Sequence, residues 1–136
     1  MTRFSVKQEE LERRRKLAAH ARKLLSDNLQ IVAEDETSVM TCYQDFYVQI
    51  SFSDLHPLLV IYFAREIPPA CLKKKRLLNS LNSSSVLGSH FVNEEVSCYT
   101  FRATVWMETE IQCSRFYEIF DRCAEEAGRG FEKMSG

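Results

Sequence analysis

The stretch Val96–Glu108, VSCYTFRATVWME, constrains the fold more than any other part of this sequence. Tyr99, Phe101, Ala103, Val105 and Met107 fall on one side of a period-two alternation; Cys98, Thr100, Arg102, Thr104 and Trp106 fall on the other. An extended strand sorts its side chains in this way, because successive residues point to opposite faces of a sheet. The first face is apolar and reads as core. The second mixes threonines, an arginine and the single Trp of the chain, a composition suited to contact with something else.

The same alternation recurs upstream. Within Val39–Phe52, Phe46, Val48, Ile50 and Phe52 alternate with Tyr47, Gln49 and Ser51, which predicts a strand. Leu29–Glu34 reads as a short strand closed by the acidic turn Glu34-Asp35-Glu36. Past a turn at Ser53–Pro57, the apolar run Leu58–Arg65 reads as a central strand covered on both sides. Val86–Asn93 and Val96–Met107 form a hairpin around Asn93-Glu94-Glu95.

Helices surround these strands. Ser5–Asn28 carries a capping-box spacing at Ser5 and Gln8, acidic residues first and basic residues later, in the sense the helix dipole favours. Its apolar stripe is Leu11, Leu17, Ala18, Ala21, Leu24 and Leu25. Pro68-Pro69 opens a second helix, to about Asn82, with Cys71, Leu77, Leu78 and Leu81 inward. Thr109 and Gln112 cap a third, of about four turns, with Cys113, Phe116, Phe120, Cys123 and Ala127, joined by Tyr117 and Ala124, on its apolar face. Gly128 and Gly130 are expected to end or bend it, leaving a frayed tail over 128–136. The chain of 136 residues reads as one domain, residues 1–136, with its core over about 24–127 and a charged N-terminal helix at 5–28. The expected fold is α+β and two-layered, in the order α-β-β-β-α-β-β-α. It has an antiparallel sheet and helices packed mainly on one face.

The residues that would carry chemistry do not assemble into a motif. Of the 4 glycines, Gly88 sits in a predicted strand and the rest lie near the C-terminus, so no glycine-rich phosphate loop joins a strand to a helix. His20, His56 and His90 are scattered, none at ligand spacing from a cysteine, and no metal or other cofactor is expected. The 5 cysteines are widely spaced and read as reduced, buried thiols. Cys98 would lie beside Arg102, whose guanidinium would lower its pKa if the two met. The N-terminus lacks the apolar core of a secretory signal and the longest apolar run, Leu58–Ala64, is too short to span a bilayer. A soluble cytoplasmic protein is the expectation. A net charge of -1 disfavours a dedicated nucleic-acid binder.

The helix-to-hairpin passage LLNSLNSSSVLGSHFV (Leu77–Val92), the strand YTFRATVWME (Tyr99–Glu108) and the following amphipathic helix through Cys123 resemble the type III secretion chaperone-like fold, and within it the YbjN-type group of small bacterial proteins. With the upstream strands the resemblance spans about Leu24–Ala127. It implies a dimer-capable protein with neither cofactor nor catalytic residues. Secretion chaperones of this fold bind extended segments of effector proteins along sheet and helices. They are typically acidic, whereas this chain is near neutral and carries the basic run Arg13–Lys16.

The leading expectation is a non-enzymatic protein-binding or regulatory module, a homodimer, with no membrane association. Its partner is another protein or its own copy. The candidate contact surface is Tyr47, Gln49, Thr100, Arg102, Thr104 and Trp106, because aromatic and Arg side chains anchor interfaces. A small-molecule sensor or enzyme with a pocket between sheet and helices is the alternative, with His90, Cys98 and Arg102 as its polar groups. Nucleic-acid binding through Arg13–Lys16 and Lys73–Arg76 ranks last.

Overall fold

The structure is a computed structural model that describes residues 7–53, 56–107 and 110–136. Six strands form one antiparallel sheet in the order β1-β2-β3-β4-β6-β5. They are β1 (Ile31–Glu34), β2 (Ser38–Tyr43), β3 (Phe46–Phe52), β4 (Leu58–Glu66), β5 (Gly88–Asn93) and β6 (Cys98–Trp106). Helices α1 (Gln8–Asn28), α2 (Leu77–Ser84) and α3 (Cys113–Ser135) cover one face, with a 3-10 turn at Pro69–Lys74 ahead of α2. The α+β fold expected from the alternation is therefore the observed one.

Val39–Phe52 is two strands rather than one. It folds back at Gln44 and Asp45, whose φ values are +50° and +69°, and Tyr43 pairs with Phe46 across them. Two left-handed residues between paired strands make the tight hairpin turn whose twist matches the strands. The usual Asn-Gly signal is absent, so the alternation of β3 hides the turn. At the next connection, Asp35 Oδ1 accepts from the backbone N–H groups of Thr37 (2.9 Å) and Ser38 (2.8 Å) and so fixes the β1–β2 turn. These bonds hold the Asp35 carboxyl below its ordinary pKa.

The core lies between the sheet and the helices. Val48 and Ile50 of β3, Leu59, Ile61 and Phe63 of β4, and Tyr99 and Phe101 of β6 meet Phe116 and Phe120 of α3. Each such side chain stabilises by roughly 1.5–3 kcal/mol when fully buried. α1 contributes Leu17, Ala21 and Leu25. Tyr117 of α3 donates its hydroxyl to Leu24 O at 3.0 Å, and His20 of α1 donates Nε2–H to Ile111 O at 2.9 Å. In the charged part of α1, Glu10 receives both Arg13 (2.6 Å) and Arg14 (3.1 Å).

The departures from expectation concern α3. The Ser5 cap and Thr109 lie outside the described residues, as do Asp54 and Leu55 of the Ser53–Pro57 turn. α3 starts with Gln112 as its N-terminal flank and has no side-chain cap bond. The segment after α3's fourth turn, expected as a frayed tail, is helix through Ser135. Met134 is fully buried and Phe131 packs edge-on against Phe46 and Tyr99. Gly130 does not end the helix. It lets α3 approach the sheet, because a β-carbon there would lie 2.2 Å from the Tyr99 hydroxyl and 2.5 Å from His90 Nδ1.

Candidate functional site: the open face of the sheet

The face turned away from the helices carries the alternate residues of every long strand, and the register aligns them in rows. Met40, Gln49, Tyr62, Arg102 and Ser89 form one row across five strands. Cys42, Tyr47, Ala64, Thr100 and Phe91 form the next. Ser51, Val60 and Thr104 follow, and Leu58 stands opposite Trp106. All six residues singled out from sequence thus lie on this one face.

They differ in accessibility. Tyr47 is 63% exposed and Trp106 59%, and Arg102 and Thr104 are also exposed. Gln49 is half-buried, its amide donating to Ser51 Oγ at 3.3 Å. Thr100 is buried between its row neighbours Ala64 and Phe91. Arg102 sets its guanidinium 6.0 Å from the centre of the Tyr62 ring, a cation–π distance. The indole of Trp106 meets the His56 ring edge-on at 6.3 Å.

Sequence reasoning missed the apolar half of this surface. Val32 (61% exposed) and Met40 border a shallow trough with Tyr47, Gln49, Tyr62 and Ala64. The continuously apolar run of β4 predicts cover on both sides. In the structure Leu58, Val60, Tyr62 and Ala64 are half-buried on the open face, in register with residues of β6 and, from Val60 on, of β3. Apolar residues on a central strand need no second layer when adjacent strands shield their flanks. Val32 belongs to β1, whose register shifts between Ile31 and Ala33; such an irregularity gives no alternation to read.

The pocket expected from His90, Cys98 and Arg102 does not form. Cys98 and Arg102 belong to the alternate set of β6 that faces outward, while His90 is buried on the helix side against Phe101. Burial and the nearby Glu66 carboxylate push the Cys98 thiol up, opposite to the activation a guanidinium would give. Among the basic runs, Arg13 and Arg14 pair with Glu10, Lys75 pairs with Glu94, and Lys74 donates to the Gly136 carbonyl. No group of His, Cys, Asp and Glu among the described residues has the geometry to hold a metal ion. No described helix is long and apolar enough to cross a membrane.

No protein-family model matches the chain, nor does any curated protein. Solved structures do. YbjN of E. coli, described as a proposed transcription regulator, aligns at a TM-score of 0.65 and 13% identity over 83% of this chain and 87% of its own. The type III secretion chaperone SycH of Yersinia pestis, solved with a fragment of YscM2, gives 0.59 and 6% over 83% and 98%. A chain of the HopA1–SchA chaperone–effector complex gives 0.55 and 16% over 94% and 99%. The fold is that of YbjN and the type III secretion chaperones. The likeness inferred from Leu77–Cys123 therefore holds at the level of the fold.

Proposed function

We propose that this chain is a non-enzymatic, chaperone-like protein-binding module of the bacterial cytoplasm, working as a homodimer, that holds a segment of another polypeptide against its open sheet face. The observation that carries this reading is the uncovered apolar content of that face. Val32, Met40, Tyr47, Phe91 and Trp106 are all exposed there, on a sheet whose central strands β3, β4 and β6 bury their other face against the helices. Soluble monomers rarely leave contiguous apolar surface open without a binding use. Arg102 and Gln49 supply polar groups among the aromatics, the mixture typical of an interface centre. Two structural neighbours, SchA and SycH, were solved with protein partners, which supports a protein rather than a metabolite as the ligand. The neighbouring carboxylates and carbonyl that engage Arg13, Arg14, Lys74 and Lys75 weigh against nucleic acid.

The test is the triple variant Tyr47→Ala, Arg102→Ala, Trp106→Ala. It should keep the native circular dichroism and melting temperature yet lose proteins that crosslink to the wild-type chain in cells. If the variant instead sediments as a monomer where the wild type is a dimer, the face belongs to a second copy. Unchanged crosslinking and unchanged sedimentation would remove this face from the function.

A further inference from the structure

His90 bonds to residues of three other elements, and the open face makes no use of it. Its side chain is completely buried. The imidazole donates Nε2–H to Glu126 Oε1 on α3 at 3.1 Å and accepts at Nδ1 from the Tyr99 hydroxyl of β6 at 2.6 Å. Its backbone N–H donates to Asn82 Oδ1 on α2 at 2.7 Å, and its C=O accepts from Asn82 Nδ2 at 2.9 Å. One residue of edge strand β5 thus ties together α2, β6 and α3. Gly130 provides the room, since any β-carbon there would collide with both His90 and Tyr99.

This network is complete only with a neutral imidazole. Protonation puts a hydrogen on Nδ1, facing a hydroxyl that already points its own hydrogen there. The Nδ1–H of the cation would donate to the Tyr99 oxygen, and the hydrogen of that fully buried hydroxyl would lose its acceptor. The charged and titratable groups around the imidazole are Glu126, Arg129 and Lys133 of α3 and Tyr99 of β6; α2 presents the uncharged Asn82. Glu126 favours the cation, but Arg129 shares that carboxylate and, with Lys133, opposes the cation. Burial outweighs the attraction and lowers the His90 pKa.

We infer that His90 is a proton-operated latch: its bonds to Asn82 and Glu126 survive protonation, but the buried cation is relieved only when β5, α2 and the C-terminal end of α3 come apart around it, which bares that edge of the sheet. The edge is otherwise closed, because Asn82 occupies both backbone groups of His90 and Ser85 Oγ donates to Gly88 O at 2.8 Å. An uncovered strand edge is a pairing site for another chain.

Hydrogen exchange of the full chain at pH 7.5 and 5.5, corrected for intrinsic rates, tests the latch. Peptides over 77–93 and 126–135 should lose protection about tenfold at the lower pH, while 38–52 retain it. In His90→Gln the loss should disappear. An NMR titration of the wild-type imidazoles keeps the test decisive if that variant misfolds: opening must begin below the ordinary imidazole value of about 6.5 and level off only at the lower midpoint of His90. Loss of protection spread evenly over all strands, loss that persists in a folded His90→Gln, or His90 protonation with full protection would each overturn the latch.

Discussion

At β5 the outward N–H and C=O of His90 are both held by the Asn82 carboxamide. At β1, the other edge of the same sheet, no side chain among the described residues bonds to the backbone of Ile31–Glu34. β1 relies on geometry instead: it is only 4 residues long and its register shifts at Ile31/Ala33, both of which blunt an edge. β5 is 6 residues long and regular, so it needs a plug. The difference separates two kinds of protection. A short, irregular edge is unattractive under all conditions. A plugged edge is closed only while the helix that supplies the plug stays docked.

Gly130→Ala should do most to break the contrast. The new methyl would drive α3 from Tyr99 and His90, costing about 3 kcal/mol in urea unfolding, overpacking and a lost buried hydrogen bond together. Asn82→Ala comes next, at about 2 kcal/mol, because two backbone groups lose their partner. It should also make β5 resemble an ordinary open edge, seen as concentration-dependent association in sedimentation velocity.

Lowering the pH should act in the same direction more gently. The folded His90 has a lowered pKa, so below the unfolded value of about 6.5 the unfolded chain binds the extra proton first and stability falls with pH. Burial raises Glu126, yet its bonds to Arg129 and His90 leave it lowered overall, so its contribution is lost at still lower pH. Chemical unfolding followed from pH 8 to 5 should show a slope of at most about 1.4 kcal/mol per pH unit for the one imidazole, and a flatter profile in His90→Gln. Asp45→Gly, in the β2–β3 turn, relieves a left-handed residue and should stabilise by about 0.5–1 kcal/mol in the same assay. Val32→Lys should sharpen the contrast with the smallest effect on folding, within about 0.5 kcal/mol, while reducing partner capture on the open face.

Period-two alternation was enough to read β3, the β5–β6 hairpin and the two faces of β6 from sequence, because each strand there has one wet and one dry side. It failed where local geometry departs from the period: at Gln44-Asp45, where two non-glycine residues adopt positive φ, and at β1, where the register shifts. The six open-face residues were legible since β6 and β3 declare their outward sets. Val32, Met40 and Tyr62 were not, because apolar side chains on an open face look like core until the sheet order is known. The His90 cluster needed three separate elements to meet, and only Gly130, which from sequence reads as an end or a bend of the helix, marked their approach.

Trp106 has a practical consequence. The only indole of the chain stands on the open face, 59% exposed and beside His56. Its emission in the native protein should already resemble that of a solvated indole, so fluorescence will change little as the core melts. A polypeptide settling on that face would shift the same emission to the blue. In this molecule the intrinsic fluorophore is a reporter of occupancy rather than of folding.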